Sequence, residues 1–246
     1  MNNNDYSSLG MQELIELVKS DDMDACAESE KRGLAAYEEG SGDAFGYLYS
    51  INEKKYNLHW RSLFALGKLF TNGATEADFK NAQHYLGLLL ERGKSPVVYT
   101  AYGDLYYYSR FMQGRDVVKA RQWYFFSIDK KDELGYETPD EAKKRKARVF
   151  AVLGTMALQD MPNVKANPNA ALKLFELSYK LGNALSALSI GDLYSAGVFG
   201  NDYECLVKEA YWYLEAYKAG LKDEAAPHIL DTKRRLDEAE KNKEDK

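Results

Sequence analysis

The sequence predicts an all-α fold, a right-handed superhelix (solenoid) of stacked antiparallel helix hairpins in one domain spanning 1–246. Three observations predict it. A phrase recurs as "LGKLFTNG" from Leu66, "YGDLYYYS" from Tyr102, "LGTMALQD" from Leu153 and "IGDLYSAG" from Ile190. Each copy is followed by an alanine with bulky residues three and four positions later. The composition is 45% hydrophobic with only five prolines, too apolar for a disordered chain and poor in strand-like alternation.

The elements follow in order. "MQELIELVKS" reads as one helix and "DMDACAESEKRGLAAYEEG" as a second ending near Gly40. Together they suggest a degenerate N-terminal hairpin within 1–56. Residues 43–51 read as a short extra helix. "FGYLYS" echoes the recurring phrase, but Gly46 lies only 21 residues before Gly67, too near for a full repeat.

Four repeats are expected over 57–226. Gly67, Gly103, Gly154 and Gly191 mark their first helices, termed A, at spacings of 36, 51 and 37 residues. Around each glycine, apolar residues fall three, four and seven apart, as in Leu63, Leu66 and Phe70 or Ala187, Ile190 and Tyr194. That interval makes one face of a helix. The second helix of each hairpin, termed B, carries Ala82 with Tyr85 and Leu86, Ala120 with Trp123 and Tyr124, Ala171 with Leu174 and Phe175, and Ala210 with Tyr213 and Leu214. Gly93, Gly182 and Gly220 suit the position just past a helix C-terminus. Glycine inside a helix costs about 1 kcal/mol against alanine. Its recurrence therefore implies that A and B approach too closely for a side chain. One hairpin cannot bury all its apolar surface, so hairpins must stack.

The long step from Gly103 to Gly154 signals an insertion near 129–146 that lengthens the third A helix. Thr138 suits its N-cap, Pro139 its first position, and Asp140 and Glu141 its first turn. Lys143, Lys144, Arg145, Lys146 and Arg148 then form the dense basic run of the chain. It reads as a solvated helix face or as a contact for an acidic partner. From 227 to 246 a thin apolar stripe within many charges fits a capping helix and tail.

These residues resemble the Sel1-like repeat family, a relative of the tetratricopeptide repeat. The best match is "ALSIGDLYSAGVFGND" with "EAYWYLEAYKAG"; "AYGDLYYYS" with "KARQWYFFS" and "LFALGKLFTNG" with "NAQHYLGLLLERG" follow. The resemblance spans roughly residues 60–226. It implies a helical solenoid acting as an adaptor or scaffold that grips a protein or peptide on the concave surface lined by A helices. It does not select a partner. A bacterial immunity protein that blocks a toxin is a narrower version. A regulator binding a small ligand in an aromatic groove, or an enzyme using Asp104, Asp192 or His59, are rivals from other classes.

Chemistry-bearing motifs are scarce. There is no HExxH, CxxC, GxSxG or P-loop pattern, so no catalytic residue, cofactor or metal is expected. Net charge of −5 argues against nucleic acid. No apolar run approaches a membrane span. Cys26 and Cys205 lie far apart, and "MNNNDYSSLG" lacks the features of a signal peptide, so a reducing cytoplasmic setting is expected. Asp104 and Asp192, each directly after a repeat glycine, suggest partner contact or pairing with Lys68 or Arg148.

If A helices line the groove, offsets from each glycine give Arg61, Phe64, Lys68, Thr71 and Asn72; then Thr100, Asp104, Tyr107 and Tyr108; then Arg148, Thr155 and Gln159; then Asp192 and Ser195. Successive helix residues are about 100° apart, so Tyr106, Tyr107 and Tyr108 cannot share one core seam. Tyr106 takes the core position, leaving Tyr107 or Tyr108 for the surface. Phe125 and Phe126 are expected to pack against the insertion.

Overall fold

Whether the repeat glycines do bring helices together is answered atom by atom in the computed structural model, which describes residues 6, 8–51, 58–162 and 164–244. The described residues form twelve α-helices: α1 (Met11–Lys19), α2 (Met23–Glu38), α3 (Asp43–Ser50), α4 (Trp60–Thr71), α5 (Glu76–Arg92), α6 (Pro96–Tyr108), α7 (Val117–Asp129), α8 (Pro139–Ala157), α9 (Pro168–Lys180), α10 (Leu185–Ser195), α11 (Tyr203–Lys218) and α12 (Lys222–Glu244). Among them there is no strand, only an isolated bridge between Met161 and Val164. The fold is an all-α solenoid of antiparallel hairpins. The chain divides into two compact units. The first runs to Phe126 and adds Lys130–Leu134; the second takes Ser127–Asp129 and continues from Gly135.

Each hairpin closes on a glycine. A methyl carbon placed on Gly67 would lie 2.8 Å from Leu86 of α5, on Gly103 2.5 Å from Tyr124 of α7, on Gly154 2.8 Å from Phe175 of α9, and on Gly191 2.6 Å from Tyr213 of α11. These contacts are with bulky side chains that are themselves buried, so the neighbour has no room to give. Four residues before each bulky group sits the residue that faces the adjoining helix. Ala82, Ala120 and Ala171 fill that place and are fully buried.

Two features depart from the sequence reading. First, α2 and α3 repeat the same arrangement. A methyl carbon on Gly33 would lie 2.6 Å from Leu48, and Ala44, four residues earlier, is fully buried. Gly33 therefore plays the part that Gly67 plays 34 residues later, and Gly46 does not. Gly33 escaped notice because Arg32 precedes it instead of an apolar residue. Second, the alanine of α11 was expected at Ala210, with Leu214 as a buried partner. Ala210 is only half-buried and Leu214 is exposed. The equivalent place belongs to Glu209, 1% exposed, four residues before Tyr213. A shift of one residue rotates a helix by about 100°, and the neighbouring alanine disguised it.

The ends of helices follow their expected chemistry. Gly182 and Gly220 have φ of 101° and 105°. Each donates its N–H two residues inside the preceding helix, to Tyr179 O and Tyr217 O, while Asn183 and Leu221 reach Ser178 O and Ala216 O. This is the left-handed cap that glycine permits. Thr138 caps α8 reciprocally with Glu141. Helix α12 starts at Lys222, earlier than expected, and carries Pro227 inside it. The hydrogen bond that proline removes would have gone to Asp223, which faces solvent.

The basic run is not uniformly solvated. Arg145 and Glu137 are 9% and 7% exposed and pair through two 2.7 Å hydrogen bonds. Arg145 also donates to Ser127 O at 2.7 Å. It thereby ties the start of α8 to the last turn of α7. Lys143, Lys144 and Arg148 remain exposed. Phe125 and Phe126 were expected against the insertion, but Phe126 meets Tyr99 and Trp123 of α6 and α7 at 6.1 and 5.9 Å. The two phenylalanines are 41% and 46% exposed, with the Arg121 guanidinium 5.3 Å from the Phe125 ring.

Candidate interaction surface

The residue after each repeat glycine leaves the A helix beside the A–B seam. What it meets depends on the ring across the seam. In α6/α7 the Tyr124 ring lies over Gly103, and its hydroxyl donates to Asp104 Oδ1 at 2.9 Å. In α10/α11 the Tyr213 ring lies over Gly191, and its hydroxyl donates to Asp192 Oδ1 at 2.9 Å. The other hairpins have Leu48, Leu86 or Phe175 across the glycine. None has a hydroxyl, and the following residues are Leu34, Lys68 and Thr155. Burial, then the bond to Asp192, pushes the Tyr213 phenol above its ordinary range, which keeps it a donor.

The nine residues singled out from sequence separate into distinct environments. Asp104 is 6% exposed, and its second oxygen takes Lys68 Nζ at 2.9 Å. That bond joins neighbouring A helices α4 and α6. Asn72 is exposed and closes α4 as its C-cap. Phe64 is half-buried, and Arg61 is exposed with its guanidinium 5.5 Å from the Trp60 ring. Tyr107 is half-buried and meets Tyr108 edge-on at 4.7 Å, with Tyr108 49% exposed. In the second unit, Arg148 on α8 and Asp192 on α10 are both exposed. Thr71 and Thr100 are buried, their hydroxyls donating back to Gly67 O and Pro96 O. Tyr106 packs on α5, 5.7 Å from Phe79, and accepts from Gln83.

The remaining reactive groups are engaged structurally. His59 caps α4, its Nδ1 accepting from Arg61 N at 3.3 Å. His228 stacks on Tyr213 at 4.6 Å. Both cysteines are buried and unbridged. Burial raises the Cys205 thiol, with Asp202 adding to it. Among the described residues, no three His, Cys, Asp or Glu side chains gather as a metal site, and no helix is long and apolar enough to cross a membrane.

Sequence reasoning missed several buried polar groups, among them Glu30, which accepts from His59 N and Ser62 Oγ, and Arg145 and Glu209. Arg145 was taken with the lysines around it. Glu209 was hidden by Ala210. Glu209 Oε1 accepts from Thr232 Oγ1 at 2.7 Å and Arg235 at 2.8 Å, both on α12. The signal that would have found it is the four-residue step from Ala82 to Leu86, repeated from Glu209 to Tyr213.

No family model and no curated protein matches the chain. A solved structure described as that of a Sel1 repeat protein from Oxalobacter formigenes is similar over 86% of this chain and 85% of its own, at 19% identity and a TM-score of 0.49.

Proposed function

We propose that this chain is a non-catalytic protein-binding module that holds a protein or peptide on the A-helix surface of α4 and α6. The observation that carries the reading is the arrangement around the Lys68–Asp104 bond. The two charges satisfy each other, while Arg61 and Phe64 stand seven and four residues before Lys68 on α4 and Tyr107 and Tyr108 three and four residues after Asp104 on α6, offering a cation and half-exposed rings at helical intervals from the pair. Tyrosine and arginine are favoured interface residues because they bury much area at small entropic cost. The Sel1-like resemblance of the repeats supports the same class. The non-catalytic reading is supported by Asp104 and Asp192, each of which spends a carboxylate oxygen on a tyrosine hydroxyl. The unbridged buried cysteines suit a reducing, cytoplasmic setting.

The test is affinity capture from the native cell extract, identification by mass spectrometry, and titration of the captured protein. The Tyr107→Ala, Tyr108→Ala double variant should bind about 30-fold more weakly, the equivalent of about 2 kcal/mol, with its helical circular dichroism unchanged. A folded double variant that binds as tightly as the parent removes this surface from the proposal.

A further inference from the structure

Helix α11 has an inner face that is buried through Cys205, Leu206, Glu209, Tyr213 and Ala216. Its other face carries Val207, Ala210, Leu214 and Tyr217 in steps of three, four and three residues, bounded by Tyr203, whose hydroxyl donates to Glu240 of α12 at 2.5 Å, and by Leu221, which packs on the cluster of Ala187, Ala216 and Ala225. That spacing makes one apolar stripe along the helix and is compatible with a short coiled-coil seam. Val207, Leu214 and Tyr217 are 44%, 42% and 39% exposed.

The preceding hairpin shows what such a face receives. Tyr179 lies eight residues after Ala171 on α9, and Tyr217 lies eight residues after Glu209 on α11, so the two are equivalent. Tyr179 meets Trp212 of α11 edge-on at 5.6 Å, and its hydroxyl donates to Glu215 at 2.7 Å. Among the described residues, the Tyr217 ring meets the Lys222 ammonium at 5.9 Å and no aromatic ring of a further helix. Thus α11 presents the edge at which a further helix would join.

The charges beside the seam select the occupant. Glu204, Tyr211 and Lys218 follow one another at seven-residue intervals along one flank. In an antiparallel pair with its twofold axis near Tyr211, Glu204 faces Lys218 of the second copy, and the reverse contact repeats it. The same register sets Val207 opposite Tyr217 and Ala210 opposite Leu214, large against small. Parallel pairing needs charges on the other flank, where α11 has the buried Leu206 and Tyr213. Within one chain Glu204 pairs with Lys208 at 2.7 Å and Lys218 with Glu215 at 2.8 Å. Such exposed pairs contribute little and can exchange partners.

We propose that α11 is a self-association seam through which two copies of this chain pair antiparallel. Sedimentation equilibrium of the full chain, with thermal melts to confirm folding, tests it. The parent should dimerise and Leu214→Glu should be monomeric. Glu204→Lys and Lys218→Glu should each weaken the dimer about tenfold or more by setting like charges together, and combining them should restore it. A parent that stays monomeric at roughly 100 μM, where even weak specific pairs associate, overturns the proposal. So does a folded double variant as weak as the two single changes combined, because only the antiparallel register predicts the rescue.

Discussion

Hairpins α8/α9 and α10/α11 have the same backbone plan and hold it together differently. In the first, Phe175 covers Gly154, and Ala171 fills the small position. In the second, Tyr213 covers Gly191 and bonds Asp192, while Glu209 stands where Ala171 stands and is held by Thr232 and Arg235. One hairpin is closed by apolar packing over its glycine and by a neutral hydrogen bond from Ser178 Oγ to Ala147 O at 2.7 Å, and is pinned at its start by the Arg145–Glu137 pair. The other carries Asp192 and Glu209 beside and inside its seams, with Tyr213 on the first and Thr232 and Arg235 on one oxygen of the second, whose other oxygen is buried without a hydrogen bond. The lesson concerns the conspicuous aspartates. Asp follows the glycine in the hairpins whose covering ring is tyrosine. Its presence is explained by a hydroxyl that needs an acceptor, with no chemistry required.

Breaking the pin of α8 should have the largest effect. Arg145→Ala leaves Glu137 buried without its cation and frees the Ser127 carbonyl, and should cost about 3–5 kcal/mol in denaturant unfolding. Arg235→Ala should cost clearly less, because Arg235 is 28% exposed and Thr232 still donates to Glu209. Equal losses would show that exposure does not separate the two pairs.

The glycines come next. Gly154→Leu and Gly191→Leu both force a side chain against a buried ring, and each should cost about 1–3 kcal/mol by overpacking. The comparison predicts similar losses, since the obstacle is a six-membered ring in both. A melting temperature unchanged in either variant would mean that its hairpin can open without penalty.

The smallest effect sharpens the comparison most. Tyr213→Phe makes α10/α11 resemble α8/α9 and should cost about 1 kcal/mol at neutral pH, the net worth of one hydrogen bond. The folded phenol ionises above its ordinary value, whereas the unfolded one ionises near about pH 10. The contribution of Tyr213 is therefore complete below about pH 10 and is lost as pH rises beyond it. Stability measured against pH should bring the parent and the Phe variant together in that range. A gap that stays constant would show that the Tyr213 hydroxyl does not stay protonated through folding.

The elements were largely legible because periodicity and caps are local. The start of α8 at Pro139 followed from Thr138 and Glu141, and the ends of α9 and α11 from Gly182 and Gly220. Register was less legible. Ala210 and Glu209 are adjacent, and amphipathic spacing tolerates a one-residue slip. The candidate surface rests on a set of helical offsets, at which Tyr108 and Arg61 are exposed. Thr71 and Thr100 were misplaced because each folds its hydroxyl back onto its own helix.

By itself the sequence determined that glycine and a bulky residue would recur at hairpin spacing, and hence that helices would pair and stack. Steric exclusion at a missing Cβ is a local property that each repeat carries in its own residues. Only the tertiary structure decided which polar groups are spent inside the fold. Asp104 meets Lys68 from 36 residues away, Arg145 meets the Ser127 carbonyl, and Glu209 meets α12. A hydrogen bond requires two atoms within about 3 Å. Residue spacing along one helix cannot fix that distance between two.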